Sequence, residues 1–254
     1  MFIYSRWHGL KEKHMNLVVG LGNFDGVHLG HQKLIYELVA LAKRIDGTPA
    51  VFTFNPHPLA VLCPGDCPPQ LLSQESKQNL IAKLGVEVLL QAPFDLELAS
   101  MAPDQFIETV LCKELGVCGV VVGYNYTFGH RGHGTPALLE KLSSRYGFQI
   151  RVIPPVMVEG QVVSSTLVRS LIADGDVIGA AKLLGRYPFA EGPVVEGDRR
   201  GGGILGFPTA NLEIGMNTLV PANGVYSARV FINGDVYQGV ANVGIKPTFH
   251  GKKR

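Results

Sequence analysis

The sequence predicts two domains of different classes: an α/β domain whose parallel sheet is covered on both faces, then a small all-β domain of barrel type. Three observations carry this. Short apolar runs alternate with longer amphipathic ones through the first two thirds of the chain, as in strands joined by crossover helices. From Gly185 onward, glycine and proline punctuate short β-type runs instead. And 254 residues suffice for two cores, since domains most often run to about 100–150 residues. The α/β domain is placed at residues 1–186 and the all-β domain at 187–254.

The elements follow in order. Residues 17–21 (Leu-Val-Val-Gly-Leu) read as a buried strand, and 30–43 as a helix with Leu34, Ile35, Leu38, Val39 and Ala42 on one face. Residues 50–54 form a second strand, 74–84 a helix stopped by Gly85, and 86–90 a third strand. Pro103 opens a helix to Leu115, with Gly116 past its end. A strand at 117–122, a helix from Pro136 to Tyr146 and a strand at 149–153 complete the alternation. Residues 163–184 are helical in spacing. Beyond them lie β runs at 193–196, 224–232 and 236–243, with Asn233-Gly234 as a two-residue hairpin signal between the last pair.

Composition narrows the function. Hydrophobic residues make up 46% and charged residues 17%, which suits packed domains. The net charge is +2, so any anion must be held by local groups rather than by a global field. The longest basic run is Lys252-Lys253-Arg254, which excludes a nucleic-acid protein. No apolar stretch approaches the ~20 residues of a membrane span, and the start has no charged region ahead of an apolar one. Cys63, Cys67, Cys112 and Cys118 match zinc spacings poorly and read as reduced thiols, so the chain is expected in the cytoplasm. No sequence feature specifies an oligomeric state.

The chemistry concentrates after the first strand, in Gly22-Asn23-Phe24-Asp25-Gly26-Val27-His28-Leu29-Gly30-His31. Ligands of open parallel sheets bind at the carboxyl ends of strands, and helix N-termini favour anions. Gly30 admits a phosphate close to the backbone, and His28 and His31 each offer an N–H to a phosphoryl oxygen. Two other readings stay open. Gly20-x-Gly22 invites a dinucleotide site, but the third glycine is misplaced and no acid ends the second strand. A metal held by His28, His31 and His57 is conceivable, although zinc-binding pairs on helices usually stand four apart.

The string from Gly22 to His31 resembles, nearly letter for letter, the bacterial bifunctional riboflavin kinase/FMN adenylyltransferase (FAD synthetase) family, and His28-Leu29-Gly30-His31 resembles the H-x-G-H signature of nucleotidyltransferases. Further matches follow in order: Thr53-Phe54-Asn55-Pro56-His57-Pro58; Gly123-Tyr124-Asn125-Tyr126-Thr127-Phe128-Gly129, where Tyr126 replaces the usual Phe; and Ser164-Ser165-Thr166-Leu167-Val168-Arg169. The resemblance implies a Rossmann-like nucleotidyltransferase domain followed by a six-stranded antiparallel β-barrel riboflavin kinase domain. The implied reactions are AMP transfer from ATP to FMN, giving FAD and pyrophosphate, and phosphorylation of riboflavin.

By the same resemblance His28, His31, Asn125 and Arg169 are the catalytic set, and Gly22, Asn23, Phe24, Gly30, Ser164, Ser165 and Thr166 bind ATP. Phe54, Asn55, Pro56, Pro58 and Phe128 line the flavin pocket. The bland alternatives are a helix cap for Ser164 or Ser165 and core packing for the aromatics. Mg²⁺ is expected with ATP as a bridge between phosphates.

A second landmark runs from Glu196 to Asn211. Its glycine density suits a flap over phosphates beside Arg199 and Arg200. It resembles the family's riboflavin kinase signature, by which Thr209 and Asn211 coordinate Mg²⁺ and ATP. Asn242-Val243-Gly244-Ile245-Lys246-Pro247-Thr248-Phe249 resembles the next landmark. The family continues past this point with a glutamate base, more strands and a helix, with no counterpart after Gly251-Lys252-Lys253-Arg254. The expectation is an incomplete kinase domain, adenylyl transfer retained and little kinase activity. A nucleotidyltransferase with another phosphorylated acceptor and a non-catalytic flavin- or nucleotide-binding protein are the competing functions.

Overall fold

The computed structural model describes residues 1–195 and 209–244. The expected flap residues 196–208, with Arg199 and Arg200, and residues 245–254 lie outside the described residues. The chain divides into two compact units, Met1–Ser165 and Thr166–Arg254.

The first unit runs β1 (Phe2–Tyr4), α1 (Leu10–Lys13), β2 (Leu17–Leu21), α2 (Leu29–Arg44), β3 (Thr48–Phe54), α3 (Pro58–Leu62), α4 (Gln74–Lys83), β4 (Val88–Ala92), α5 (Leu96–Ser100) and α6 (Pro103–Gln105). A π-helical stretch, Phe106–Glu114, continues α6; β5 (Gly119–Gly123), α7 (Pro136–Tyr146), β6 (Gln149–Ile153) and a small hairpin of β7 (Met157–Val158) and β8 (Gln161–Val162) follow.

Six strands form one sheet in the order β1-β4-β3-β2-β5-β6, parallel throughout. The chain builds outward from β2 through β3 and β4, then returns to the other side of β2 with β5. That reversal is the switch point where open α/β sheets bind ligands. All five residues of β2 are buried, as a central strand covered on both faces requires. Its odd positions Leu17, Val19 and Leu21 join the core with Phe52, Phe106 and Val110. Val18 points the other way, into the core of Leu34, Ile35, Leu38 and Leu41 from α2. A Cβ on Gly20 would stand 3.1 Å from both Leu34 and Leu38, so this glycine sets how closely α2 lies on the sheet.

The expected strands and helices are present; beside short elements the sequence reading did not name (α1, α3, α5 and the β7–β8 hairpin), three differences stand out. The edge strand β1 is an addition: its three residues have little pattern of their own and exist by pairing with β4. The third expected strand sits two residues later, at Val88–Ala92. The helix opened by Pro103 is π-helical for most of its length, as the bond from Leu115 N to Val110 O at 3.0 Å reflects.

In the second unit α8 (Ser165–Ala173), which starts on the last residue of the first unit, is followed by α9 (Val177–Leu184). Asp176 caps α9 by accepting from Gly179 N at 2.8 Å. Antiparallel strands come next: β9 (Val194–Val195) with β10 (Asn211–Leu212), and β11 (Gly224–Ile232) with β12 (Asp235–Val243). The β11–β12 turn is Asn233-Gly234, with φ of 51° and 93°, the two-residue turn that matches strand twist. A parallel α/β sheet followed in sequence by antiparallel strands gives the two classes the sequence predicts.

Candidate active site at the switch point

The loop from β2 to α2 is built by backbone that its residues resist. Phe24 has φ of 52° and Val27 φ of 40°, with Gly26 between them at 82°. Bulky and β-branched residues rarely adopt such angles; each costs about 1–3 kcal/mol and persists only where its surroundings enforce it. Here the enforcement is visible. Phe24 and Val27 are buried to 0% and 1% exposure, in the core shared with α2. A Cβ at Gly22 would press on the Phe24 ring at 3.1 Å.

Hydrogen bonds tie the same loop to three other segments. Thr53 Oγ1 donates to Asn23 O at 3.1 Å. Leu71 N donates to both carboxylate oxygens of buried Asp25, at 3.1 and 3.3 Å. Ser165 Oγ donates to Asp25 O at 2.9 Å, which brings the Ser164-Ser165 segment to the loop.

His28 ends the loop as the N-cap of α2, its Nδ1 accepting from His31 N at 3.3 Å. A nitrogen that accepts carries no proton, so the neutral ring keeps its proton on Nε2 as a donor. The His28 and His31 rings stack at 3.7 Å, tilted by 16°. A Cβ on Gly30 would meet the His28 ring at 3.1 Å, so the glycine makes room for this stack. His31 also lies against Phe24, 5.2 Å between ring centroids. Its Nδ1 is enclosed without a hydrogen-bond partner among the described residues, which leaves Nε2 for a ligand. Burial, then the neighbouring His28, then Lys77 hold the His31 pKa well below 6.5. Two imidazoles, at least one of them neutral, therefore stand at the mouth of a helix start suited to anions.

Comparison with known proteins decides what this constellation belongs to. The FAD synthetase family model matches residues 10–167, and the riboflavin kinase model matches 184–254. A bifunctional riboflavin kinase/FMN adenylyltransferase of Bacillus subtilis is 40% identical, covering 97% of this chain and 77% of that protein. Its namesake in Escherichia coli is 37% identical over 92% of this chain and 74% of that one. This chain belongs to the bifunctional riboflavin kinase/FMN adenylyltransferase family. A solved structure described as a macrolide-efflux protein from Streptococcus pneumoniae shares the fold, with a TM-score of 0.85 and 32% identity over 98% of this chain and 81% of that one. Among the described residues no helix is long and apolar enough to cross a membrane.

As a member of this family the protein is an enzyme of FAD biosynthesis, with an FAD synthetase domain and a riboflavin kinase domain. The structure distributes the remaining sequence-predicted residues as follows. Asn125 is exposed on the turn after β5, where Tyr126 N bonds Gly123 O at 3.1 Å. Ser164 and Ser165 are half-buried; Thr166 and Arg169 follow on α8 and fall in the second unit. Phe54, half-buried at the end of β3, stands edge-on to Phe52 and Phe94 at 5.4 and 5.2 Å.

The Asn55–Pro56 bond is cis, and Asn55 Oδ1 accepts from Gln74 Nε2 at 3.3 Å. Pro58 opens α3, capped by His57 Nδ1 accepting from Leu59 N at 3.2 Å. Asn23 Nδ2 and His57 Nε2 lie 3.4 Å apart where the loops after β2 and β3 meet; with His57 Nδ1 already accepting, both atoms are donors. Phe128 is 7% exposed in the core, stacked on Tyr126 at 5.7 Å and tilted against Phe106 at the same distance. Thr209 and Asn211 are exposed at the start of β10, in the second unit. No cluster of three or more His, Cys, Asp or Glu able to hold a metal occurs among the described residues, so His57 does not complete a metal site with the histidine pair.

Two charged residues of the site escaped the sequence reading. Asp25 belongs to the diagnostic string, yet its part as the loop's tie to residue 71 is a tertiary fact. Lys77 lies in an ordinary polar helix segment, and only the fold shows it 7% exposed beneath the loop.

Proposed function

We propose that the β2–α2 loop holds the ATP triphosphate and transfers its adenylyl group to FMN. The carrying observation is the stacked His28–His31 pair on the first turn of α2, with His28 Nε2 fixed as a donor by the bond at its other nitrogen. An oxygen of the FMN phosphate attacks the α-phosphorus, the α–β bridging bond breaks, and pyrophosphate leaves with that electron pair. The attacking oxygen is already anionic, so the site needs no strong base; it supplies position and stabilises charge. His28 and His31 donate to oxygens that gain charge, while Gly22, Asn23, Phe24 and Gly30 shape the backbone around the phosphates. Ser164, Ser165, Thr166 and Arg169 clamp them with hydroxyls and a guanidinium, and Asn125 orients the nucleotide or the flavin phosphate.

Phe54, Asn55, Pro56 and Pro58 present the flavin wall. Phe128 belongs to the same wall and is linked to Phe54 by the aromatic chain Phe128–Phe106–Phe52–Phe54. Mg²⁺ enters with ATP as an ion carried by the substrate and neutralises phosphate charge. Residues 1–186 form the adenylyltransferase domain. Residues 187–254 form the riboflavin kinase domain, in which Thr209 and Asn211 offer the hard oxygens that suit Mg²⁺ and ATP. The partners are small-molecule substrates, and the enzyme works in the cytoplasm.

The test is FAD formation from FMN and ATP by the purified chain and its His28→Ala variant. Turnover is expected to fall by roughly a hundredfold to a thousandfold, the effect of losing one transition-state donor, while stability to thermal unfolding falls by no more than the loss of a helix cap, about 0.5–2 kcal/mol. Near-normal turnover by the variant overturns the assignment.

A further inference from the structure

Beneath the β2–α2 loop lies a slit of about 10 Å³, lined by Asn23, Asp25, Phe54, His57, Gln74 and Lys77 among others. Lys77 is 7% exposed. Its ammonium makes no hydrogen bond or ion pair among the described residues, and its one opposite-charge interaction is with Asp25. That carboxylate is already shared, since both of its oxygens accept from Leu71 N. The ammonium is not sealed from solvent, but it is partly desolvated beside a carboxylate that is already shared, which favours an anion in the slit.

Resting on the adenylyl-transfer reading above, we propose that Lys77, with Asn23 and His57, is the subsite for the phosphomonoester of the flavin acceptor. It is the feature that makes the enzyme select FMN over unphosphorylated riboflavin. The three side chains come from three elements, α4 and the loops after β2 and β3, and converge on one space. The slit has room for about one water, so the phosphate enters by parting its mouth. Two exposed contacts close that mouth: Asn23 Nδ2 with His57 Nε2 at 3.4 Å, and Gln74 Nε2 with Asn55 Oδ1 at 3.3 Å. Both are long and solvent-facing, hence cheap to exchange for bonds to a dianion.

The position suits the chemistry. Phe54 lines the slit and also belongs to the flavin wall, while Asn23 belongs to the loop that holds ATP. An acceptor phosphate lodged there lies between flavin and nucleotide, as a group attacking the α-phosphorus must. Lys77 is close enough to His31 to disfavour its protonation.

Steady-state FAD formation by the full chain and by Lys77→Met tests this, with riboflavin added as a competitor of FMN. Methionine keeps the length and removes the charge. The expected result is a KM for FMN raised roughly tenfold to a hundredfold, the worth of one charge-assisted contact, with the KM for ATP unchanged. Riboflavin, a weak competitor in the wild type, should compete with the variant about as well as FMN binds it. An unchanged KM for FMN with selectivity retained overturns the subsite and leaves adenylyl transfer standing. A wild-type chain that makes no FAD overturns both. Should Lys77→Met not fold, inorganic phosphate on the wild type decides: competition with FMN is expected, and competition with ATP alone overturns the proposal.

Discussion

Of the several turns that hold backbone at positive φ, two, one in each compact unit, do so by opposite means. In the β11–β12 hairpin the residues are Asn233 and Gly234, which tolerate that region by their own chemistry. In the β2–α2 loop they include Phe24 and Val27, which do not. There the surrounding core and the bonds through Asp25, Thr53 and Ser165 impose the conformation. The hairpin turn needs nothing but itself and its strands, so it can sit among exposed residues. The loop needs a sheet covered on both faces, and it sits at the switch point of one. Strain of that kind, held by packing, fixes a loop in one shape, which is what a site that works by position requires.

The comparison breaks most plainly at Phe24. Its side chain is wholly buried and is both the loop's anchor and the ring against which His31 rests. Phe24→Ala is expected to cost about 3–5 kcal/mol, as for other buried Phe truncations, and to lower FAD formation as well. Chemical denaturation and turnover measured together check this. A loss of stability with full turnover would mean that the loop holds its shape without the anchor.

Much of this was legible in the sequence, and the exceptions share a cause. The strands from β2 to β6 and the hairpin were readable because apolar runs, helical spacing and the Asn-Gly pair are local signals. The histidine pair was readable because it sits in a contiguous string. β1 was not, since three residues become a strand only by meeting β4. The π-helical course of Phe106–Glu114 was not, since helical spacing does not show which carbonyl each N–H will choose. Lys77 was the least legible, because a lysine between Ser76 and Gln78 looks solvated until tertiary packing buries it.

On the other side of the comparison, Gly234→Ala adds a Cβ where φ is 93° and nothing lies within 4 Å. The penalty is conformational alone, about 1–2 kcal/mol, and thermal unfolding measures it. FAD formation should be untouched, because that turn's strain is local. A fall in turnover would show the two turns to be coupled and the contrast between them false.

The smallest effect concerns protons. His31 is kept neutral by burial, by His28 and by Lys77, so its folded pKa lies well below the 6.5 of a free ring. Between those two values the unfolded chain binds a proton that the folded chain refuses, and stability therefore rises with pH across that window. The contribution is fully present above about pH 6.5 and is lost as pH falls toward the lowered folded value. His14, whose pKa burial also lowers, adds a loss of the same sign at a site 17 residues away in sequence that a change at His31 leaves in place. Comparing melting temperatures at about pH 7.5 and 5.5, His31→Gln should show a smaller drop than the wild type. Equal drops would mean that His31 takes up its proton in the folded protein without penalty. The ring would then be free to carry charge before any phosphate arrives, and its burial beside His28 would not be holding it neutral.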